Sequence, residues 1–273
     1  MEISLAGWSI NRRFRNQENP LSLLDYPQLA RDEFGINAVE LNSPFFTYED
    51  PANPAESDIS DAYIDELRRR ADGVGVRSLS IAVDGHGNLS ALDEDERKQA
   101  VQNHKKWFGI CQKLGCNAFR ANSGGSHGAD ATEAETGQCI KSFRELAAIG
   151  EDTGIRVMME NHGGVSVSPN NIVQVMDAVD SAYCRVLADF LNWRPEDDKV
   201  ENLRAVAPYA WATHAKFLSF DENGESNEID CKSVMEIFEA AGYTNPFGIE
   251  YEGHTDDHAG VLKSKALIER YAY

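Results

Sequence analysis

A recurring unit of helix, glycine and strand constrains the fold of this chain more than any other feature. Apolar residues at helical spacing end at a glycine, and a short apolar run follows at once, as in QKLGCNAFRA and EDTGIRVMME. The glycines are Gly35, Gly75, Gly115 and Gly154, at intervals of 40, 40 and 39 residues. A glycine just past a helix end supplies the left-handed residue from which a strand can start. The repeat therefore predicts alternating helices and strands.

Further apolar runs extend the repeat to eight strand candidates. Four of them lie at 2–8, 184–190, 209–217 and 246–253. Helices are predicted at 57–72, 93–114, 133–150, 169–179, 230–241 and 257–271, with weaker patterns near 20–33 and 198–206. Ser90 or Asp93 is the candidate cap of the second of these helices, and the SPNN stretch at 168–171 supplies that of the fourth.

Eight alternating units indicate parallel pairing and predict an α/β fold, the (β/α)₈ TIM barrel, as a single domain over residues 1–273. The alternative is an open doubly wound sheet. No GxGxxG follows the first strand, where a dinucleotide-binding sheet would carry one. The barrel is therefore the favoured fold.

The net charge of −19, from 45 acidic against 26 basic residues, bears on the partners of the chain. Such a field repels phosphate backbones, so we expect no nucleic-acid partner. No apolar run approaches the roughly 18–20 residues that span a bilayer, and the start has no basic-then-apolar leader. The five cysteines are scattered and form no CxxC, which favours reduced thiols. We expect a cytoplasmic protein with no membrane partner.

Four of the later predicted strands end on residues that can ligate a metal. They carry Glu160, Asp189, His214 and Glu250, and Glu252 shares the face of Glu250. In a barrel the carboxyl ends of the strands meet at one mouth. Three carboxylates there would repel each other strongly, and a bound divalent cation would relieve this repulsion. The histidine would complete a set of four ligands. The alternative is that each is a separate rim residue, solvated or paired with an arginine.

These strand ends resemble those of the xylose-isomerase-like TIM barrels, the sugar phosphate isomerase/epimerase superfamily. The resemblance rests on GINAVELN, MMENHGG, LADFLNW, THAKF and GIEYEG, and it covers nearly the whole chain. It implies one divalent ion held by Glu160, Asp189, His214 and Glu250. Glu250 is preferred to Glu252 because Glu252 sits beside the glycine where the strand exits. A carboxylate-rich set with one imidazole favours Mn²⁺ or Mg²⁺, with Zn²⁺ or Co²⁺ as alternatives.

Such an ion can chelate a carbonyl and its neighbouring hydroxyl and stabilise the enediolate that proton removal leaves. By resemblance to ketose 3-epimerases, Glu160 and Glu250 would also act as acid and base on opposite faces of the substrate. Return of the proton to the same carbon is epimerisation, and return to the adjacent carbon is isomerisation. The predicted function is therefore a metal-dependent isomerase or epimerase of a keto-sugar or polyol, with a small-molecule carbohydrate as its partner.

Other functions fit parts of the same pattern. A lyase or dehydratase would form the same enediolate and expel a leaving group from the β-carbon. A non-catalytic sugar-binding barrel would keep the fold without the reaction. The endonucleases of the superfamily carry an Asp-x-His after strand 7, which HAKFLSFDENG lacks, so DNA repair is disfavoured. The sequence leaves open whether chains form a homo-oligomer.

Lys216, Glu252 and His162 are candidate substrate contacts. Lys216 follows His214 by two residues and would either steady a developing oxyanion or pair with a carboxylate of strand 8. His162 lies two residues after Glu160, so its side chain is expected on the same side of the chain. It would hydrogen-bond a substrate hydroxyl, shuttle a proton or lie on the rim as a loop residue.

Four more candidates stand at strand ends. Arg120 would bind a hydroxyl, a carboxylate or a phosphate, or form a buried pair with Glu40. His86 and Trp8 follow strands 3 and 1 and are candidates to line the pocket. Asn192 lies three residues after Asp189, at a position where members of the family often have a histidine. We therefore expect one substrate contact to differ from theirs.

Overall fold

The computed structural model describes residues 1–125 and 130–273, and eight strands in these ranges close into a barrel. They are β1 (Ile3–Ala6), β2 (Ala38–Asn42), β3 (Arg77–Val83), β4 (Ala118–Ala121), β5 (Arg156–Glu160), β6 (Cys184–Asp189), β7 (Ala210–Phe217) and β8 (Phe247–Tyr251). Neighbours in chain order pair in parallel, and β1 also pairs with β8. The predicted (β/α)₈ TIM barrel is confirmed.

Nine α-helices are present in the described ranges, and all but the first alternate with the strands. They are α1 (Asn11–Phe14), α2 (Tyr26–Phe34), α3 (Asp61–Gly73), α4 (Glu94–Leu114), α5 (Glu133–Thr153), α6 (Pro169–Val179), α7 (Lys199–Val206), α8 (Cys231–Ala240) and α9 (Asp257–Arg270). The predicted start of α3 at 57 is wrong, because the extended Ser60 caps the helix by accepting a hydrogen bond from the backbone of Tyr63.

The four repeated glycines have the backbone conformation that the sequence pattern predicts. Their φ angles are +63° at Gly35, +68° at Gly75, +77° at Gly115 and +77° at Gly154. Three of them are the residues that end α2, α4 and α5, and Gly75 follows the last residue of α3 by two positions. Each one turns the chain from a helix into the following strand.

The apolar residues form two layers that together determine where polar side chains can lie. Outside the barrel the helices pack on the strands, as where the rings of Phe108 and Phe119 meet edge to face at 4.9 Å. Inside, Ala118, Met158 and Leu187 form a small separate cluster toward the amino-terminal ends of the strands. This apolar cluster lies two residues before Arg120, Glu160 and Asp189 on the same strands, whereas β1, β2 and β3 bring the polar side chains of Ser4, Glu40 and Ser80 into the barrel.

Two further expectations concern membranes and thiols. Within the described ranges no helix combines the length and the apolar character needed to cross a membrane. All five cysteines are buried and unbonded, and burial raises the pKa of the Cys139 thiol well above its usual value. A buried thiol of raised pKa is a poor nucleophile, so Cys139 serves packing.

The two predicted caps differ in the structure, which gives a test of local stability. Asp93 accepts hydrogen bonds from the backbone nitrogens of Asp95 and Glu96 at 3.0 and 2.9 Å, whereas Ser168, at the start of α6, makes no such bond. We expect Asp93→Ala to lower the free energy of unfolding by about 1 kcal/mol. Ser168→Ala is the matched control and should leave it nearly unchanged in urea denaturation. Equal losses in both variants would contradict the assignment.

Candidate metal centre

The barrel brings the four predicted ligand residues into one buried cluster. One ligand atom from each of Glu160, Asp189, His214 and Glu250 lies within 4.8 Å of the others. None of the four residues is more than 5% exposed. They come from β5 to β8, which are consecutive parallel strands, so their carboxyl ends lie side by side at the mouth. This cluster could hold a metal ion.

The imidazole of His214 is the centre of the cluster. Its Nδ1 lies 3.1 Å from Glu160 Oε1, 3.4 Å from Glu250 Oε1 and 3.9 Å from Asp189 Oδ2. Opposite ligands of an ion such as Mg²⁺ stand about 4.2 Å apart, twice the metal–oxygen distance. The donor atoms are thus spaced close to what one ion requires, and three carboxylates with one imidazole suit a divalent cation.

Each glutamate divides its two oxygens between the histidine and a cation of its own. Glu160 directs Oε1 to His214 and Oε2 to Arg120 Nε at 2.8 Å. Glu250 directs Oε1 to His214 and Oε2 to Lys216 Nζ at 2.8 Å. The two carboxylates therefore approach the same point from different strands, each oriented by a buried positive charge.

Asp189 is held differently from the glutamates. Its Oδ1 accepts hydrogen bonds from the backbone nitrogens of Leu191 and Asn192, at 2.7 and 2.8 Å. Its Oδ2 faces the cluster and lies 3.1 Å from Lys216 Nζ. Asn161, the residue after Glu160, accepts from the backbone nitrogen of Asp189 and donates to its carbonyl oxygen. This amide ties the end of β5 to the end of β6 and positions two of the candidate ligands together.

The three acidic residues of the cluster have different pKa values because their surroundings differ. Burial raises the pKa of Asp189 to about 8, with Glu250 adding to the rise and Lys216 opposing it. Burial alone would also raise the pKa of Glu160, but Arg120 and His214 lower it to about 2. His214 and Lys216 outweigh burial at Glu250 and hold its pKa well below the usual value. Both glutamates are therefore ionised at neutral pH.

His214 carries a positive charge when the cluster contains no metal. Burial lowers its pKa, but the carboxylates of Glu250 and Glu40 outweigh this effect and hold the pKa well above the usual value. A metal at Nδ1 would displace a proton from this nitrogen, and a second proton would leave Asp189. Metal binding here is thus coupled to proton release.

Lys216 and Asn192 lie at the cluster, where the sequence predicted them. Lys216 points into the barrel and pairs with Asp189, Glu250 and Glu252, so the expected pairing with a carboxylate of strand 8 is observed. Asn192 accepts from Lys216 Nζ at 2.9 Å and donates to Glu160 Oε1 at 3.3 Å. It bridges the two sides of the cluster. Glu252 is half-buried and lies 3.3 Å from Lys216 Nζ.

Arg120 is buried beside the cluster, but its expected alternative partner is wrong. It binds Glu160 and Asp84, and it donates to the carbonyl oxygen of Val83 at 2.8 Å. Glu40 does not pair with it. Glu40 lies lower in the barrel, where its side chain contacts His214 and Ser4.

His162, Trp8 and His86 stand in three different places. His162 is exposed, lines a cavity of about 100 Å³ with Asn122, and helps to lower the pKa of Glu160. Trp8 lies in a 3-10 turn after β1, half-buried, with the Arg15 guanidinium 4.5 Å from its ring centre.

The structure does not bring His86 to the cluster. Strand β3 ends at Val83, and the loop after it turns His86 toward α4, where its ring packs against His104 and Trp107. Burial lowers the pKa of His86 to about 4, so this imidazole is neutral. Its position is that of a core residue between the barrel and a helix.

Two acidic residues to which the sequence patterns gave no site role take part in the arrangement. Glu40 is 3% exposed inside the barrel, and its Oε2 lies 3.2 Å from His214 Nε2. Asp84 follows β3 and holds Arg120 at 2.6 Å. The signal for Glu40 was the same as for Glu160: a lone carboxylate within an apolar strand needs a compensating partner.

The fold and the acidic cluster define a TIM barrel with a candidate metal site at the carboxyl ends of its strands. Residues 28–271 match the family model of the xylose isomerase-like TIM barrel. The chain belongs to this family, and the resemblance seen in its strand ends is confirmed.

Individual proteins match this chain over very different lengths. The C-glycoside deglycosidase alpha subunit of Microbacterium trichothecenolyticum is 33% identical over 55 residues, which are 20% of this chain and 15% of that protein. The structure of L-ribulose 3-epimerase has a TM-score of 0.75 at 16% identity, covering 99% of this chain and 94% of the other. That of 3-keto-D-glucoside 4-epimerase from E. coli has a TM-score of 0.71 at 14% identity, covering 99% of each.

A xylose isomerase-like TIM barrel protein from Mycobacterium smegmatis, solved in complex with magnesium, is similar to the same extent. Its TM-score is 0.71 at 17% identity, and the match covers 99% of this chain and 98% of the other. At such identities these structural similarities establish the fold alone.

Glu250 and Glu252 offer a matched test of the ligand set. Both face Lys216, but Glu250 alone of the two belongs to the cluster. We expect the purified protein to bind about one divalent ion per chain, and Glu250→Gln to lower the affinity at least about 10-fold, since a direct ligand should matter no less than its supporting residues. Glu252→Gln should keep the metal content, as measured by elemental analysis and titration calorimetry. Loss of metal in Glu252→Gln with retention in Glu250→Gln would reverse the assignment.

Metal affinity should rise with pH. Below the pKa of Asp189, about 8, that carboxyl holds a proton which an incoming ion must displace, and His214 holds another. The apparent affinity should therefore fall at least about tenfold for each pH unit below this value. Titration calorimetry in buffers of different ionisation enthalpy counts the protons released. An affinity that stays constant between about pH 6 and pH 8 would contradict the coupling.

Proposed function

We propose that this chain is a divalent-metal-dependent enzyme that epimerises or isomerises a keto-sugar or related polyol ketone by proton transfer. The observation that carries the proposal is that the two carboxylate oxygens of Glu160, and likewise those of Glu250, contact different partners. Each directs one oxygen to the shared centre at His214 and is held through the other by Arg120 or Lys216. Two ionised carboxylates that approach one point from different strands suit proton transfer at the two faces of a bound substrate.

The candidate ligands of the ion are Glu160, Asp189, His214 and Glu250. The bound ion supplies positive charge against the negative charge that develops on adjacent substrate oxygens. Mn²⁺ or Mg²⁺ fits the carboxylate-rich set best, with Zn²⁺ or Co²⁺ as alternatives.

The protein residues then divide the proton transfer between them. One glutamate accepts the proton from the carbon next to the carbonyl, and the electrons of the C–H bond form the enediolate. In an epimerase the other glutamate first takes up a proton from solvent and then delivers it to the same carbon from the opposite face, while the first glutamate releases its proton to solvent. In an isomerase the first glutamate delivers the proton it accepted to the adjacent carbon. The ammonium group of Lys216, whose side chain is only 5% exposed, stabilises the negative oxygen. Arg120 keeps Glu160 ionised and oriented.

Substrate recognition is assigned to the polar residues around the cluster. Asn192 and Glu252 lie within reach of Lys216, and His162 lies on the loop that follows Glu160. Trp8 would supply an apolar wall at the mouth. The names of L-ribulose 3-epimerase and 3-keto-D-glucoside 4-epimerase support a sugar as the substrate. The buried, unbonded thiols support a reducing compartment, the cytoplasm.

A lyase acting on a keto-glycoside is the second candidate. It is favoured by the 33% identity to a C-glycoside deglycosidase subunit over 55 residues. The two reactions share the first proton removal and differ in the fate of the enediolate. Incubation with keto-sugars and keto-glycosides in deuterated water separates them. Deuterium uptake at carbon with an isomeric sugar supports the epimerase or isomerase, whereas a cleaved or unsaturated product supports the lyase. Absence of both exchange and product would contradict both candidates.

Substitution of Lys216 tests its assigned role in the reaction. We expect Lys216→Met to lower kcat by about 10²–10³-fold, because a preorganised charge near the developing oxyanion is lost. The metal content should persist, since Lys216 is not in the ligand set. Glu2→Gln, at the other end of the barrel, is the control and should keep full activity. An unchanged kcat in Lys216→Met would show that the lysine only balances the carboxylates.

A further inference from the structure

Glu40 is a buried carboxylate on the side of His214 that faces away from the cluster. It lies on β2 inside the barrel, 3% exposed, and its Oε2 is 3.2 Å from His214 Nε2. Ser4 donates to its Oε1 at 2.9 Å, and Ser80 donates to its Oε2 at 3.4 Å. The two serines and the histidine come from three different strands, so the barrel encloses the carboxylate with hydrogen-bond donors.

The sequence of β8 leaves space for this carboxylate. A Cβ atom at Gly248 would lie 2.0 Å from Glu40 Oε1 and 2.7 Å from the carbonyl oxygen of Thr213. Any other residue at this position would displace the Glu40 side chain or the neighbouring strand. Gly248 pairs in register with His214, so the space is adjacent to the imidazole that Glu40 contacts.

The contact decides which nitrogen of His214 carries a proton when a metal is bound. The Glu40 oxygens accept hydrogen bonds from Ser4 and Ser80, so the carboxylate presents an acceptor to His214 and the proton lies on Nε2. Nδ1 then presents its lone pair to the point that Glu160, Asp189 and Glu250 share. Histidines that bind metals commonly donate their other N–H group to a carboxylate in this way.

We propose that Glu40 is a positioning residue of the candidate metal centre: it holds His214 in the tautomer and orientation in which Nδ1 binds the ion. The inference rests on the proposed metal site. Glu40 itself touches neither the ion nor the substrate, and it acts only through the imidazole. Ser4 and Ser80 keep its carboxylate in place.

Glu40→Gln tests this role because the amide has nearly the same shape as the carboxylate. An amide N–H turned toward Nε2 would place the imidazole proton on Nδ1, where it blocks the metal. We expect the variant to bind Zn²⁺ about 10–100-fold more weakly than the unaltered protein by competition titration. Glu2→Gln is the matched control, since Glu2 pairs with Arg77 and has no contact with His214 among the described residues. It should bind Zn²⁺ normally.

A spectroscopic measurement on the unaltered protein does not depend on whether the variant folds. In the Zn²⁺-loaded protein, long-range proton–nitrogen NMR spectra should show His214 protonated at Nε2 and metal-bound at Nδ1. Protonation at Nδ1, or metal at Nε2, would overturn the proposal. In a folded Glu40→Gln variant, an affinity equal to that of the unaltered protein would also overturn it.

The outcomes separate this inference from the proposed function. If the unaltered protein binds Zn²⁺ and Glu40→Gln binds it equally well, the metal centre stands and the role of Glu40 is refuted. If the unaltered protein binds neither Zn²⁺ nor Mn²⁺, the proposed metal centre fails, and the role of Glu40 fails with it. Weak binding in Glu40→Gln with normal binding in Glu2→Gln supports both.

Discussion

Compensation of buried negative charge at the barrel mouth is the interaction on which the rest of the site depends. Two like charges about 4 Å apart repel by about 4 kcal/mol at an effective dielectric constant of 20. Several such pairs rival the entire stability of a folded domain, about 5–15 kcal/mol. Arg120 and Lys216 each neutralise one glutamate, and His214 stands between the two. Asp189 is left to keep a proton, with a pKa of about 8, which a bound cation would replace.

The barrel makes this concentration of charge possible because its strands present side chains to the interior at successive depths. On β4, β5 and β6 the cluster of Ala118, Met158 and Leu187 is apolar and supplies burial without polar groups that need partners. Above it, inward-facing positions two residues apart on one strand fall at successive depths, as His214 and Lys216 do on β7. The lower position meets Glu40 and the cluster, and the upper one meets the glutamates and Asn192. A single strand therefore supplies both a candidate ligand and the cation that balances its neighbours.

The fold and the four-residue cluster could be predicted because both follow from local patterns. The glycine repeat reports helix ends, and the side-chain alternation of each strand reports which residues face inward. Contacts across the barrel interior could not be predicted in this way. Glu40 and His214 are 174 residues apart, and strand tilt decides which depths of β2 and β7 meet. His86 failed for a different reason: it lies three residues beyond β3, where the path of a loop, and no longer the alternation of a strand, determines its direction.

Lys216 links the charge balance of the cluster to the chemistry proposed for it. Asp189 directs a single oxygen into the cluster, and Lys216 contacts that oxygen, so an ion bound there would compete with the lysine. Glu250 has no such conflict, because one oxygen faces His214 and the other faces Lys216. A bound ion would therefore weaken the hold of Asp189 on Lys216 while the contact with Glu250 remains. The ammonium group would stay anchored at the mouth with part of its hydrogen-bonding capacity released, which is the condition under which it can meet a substrate oxygen.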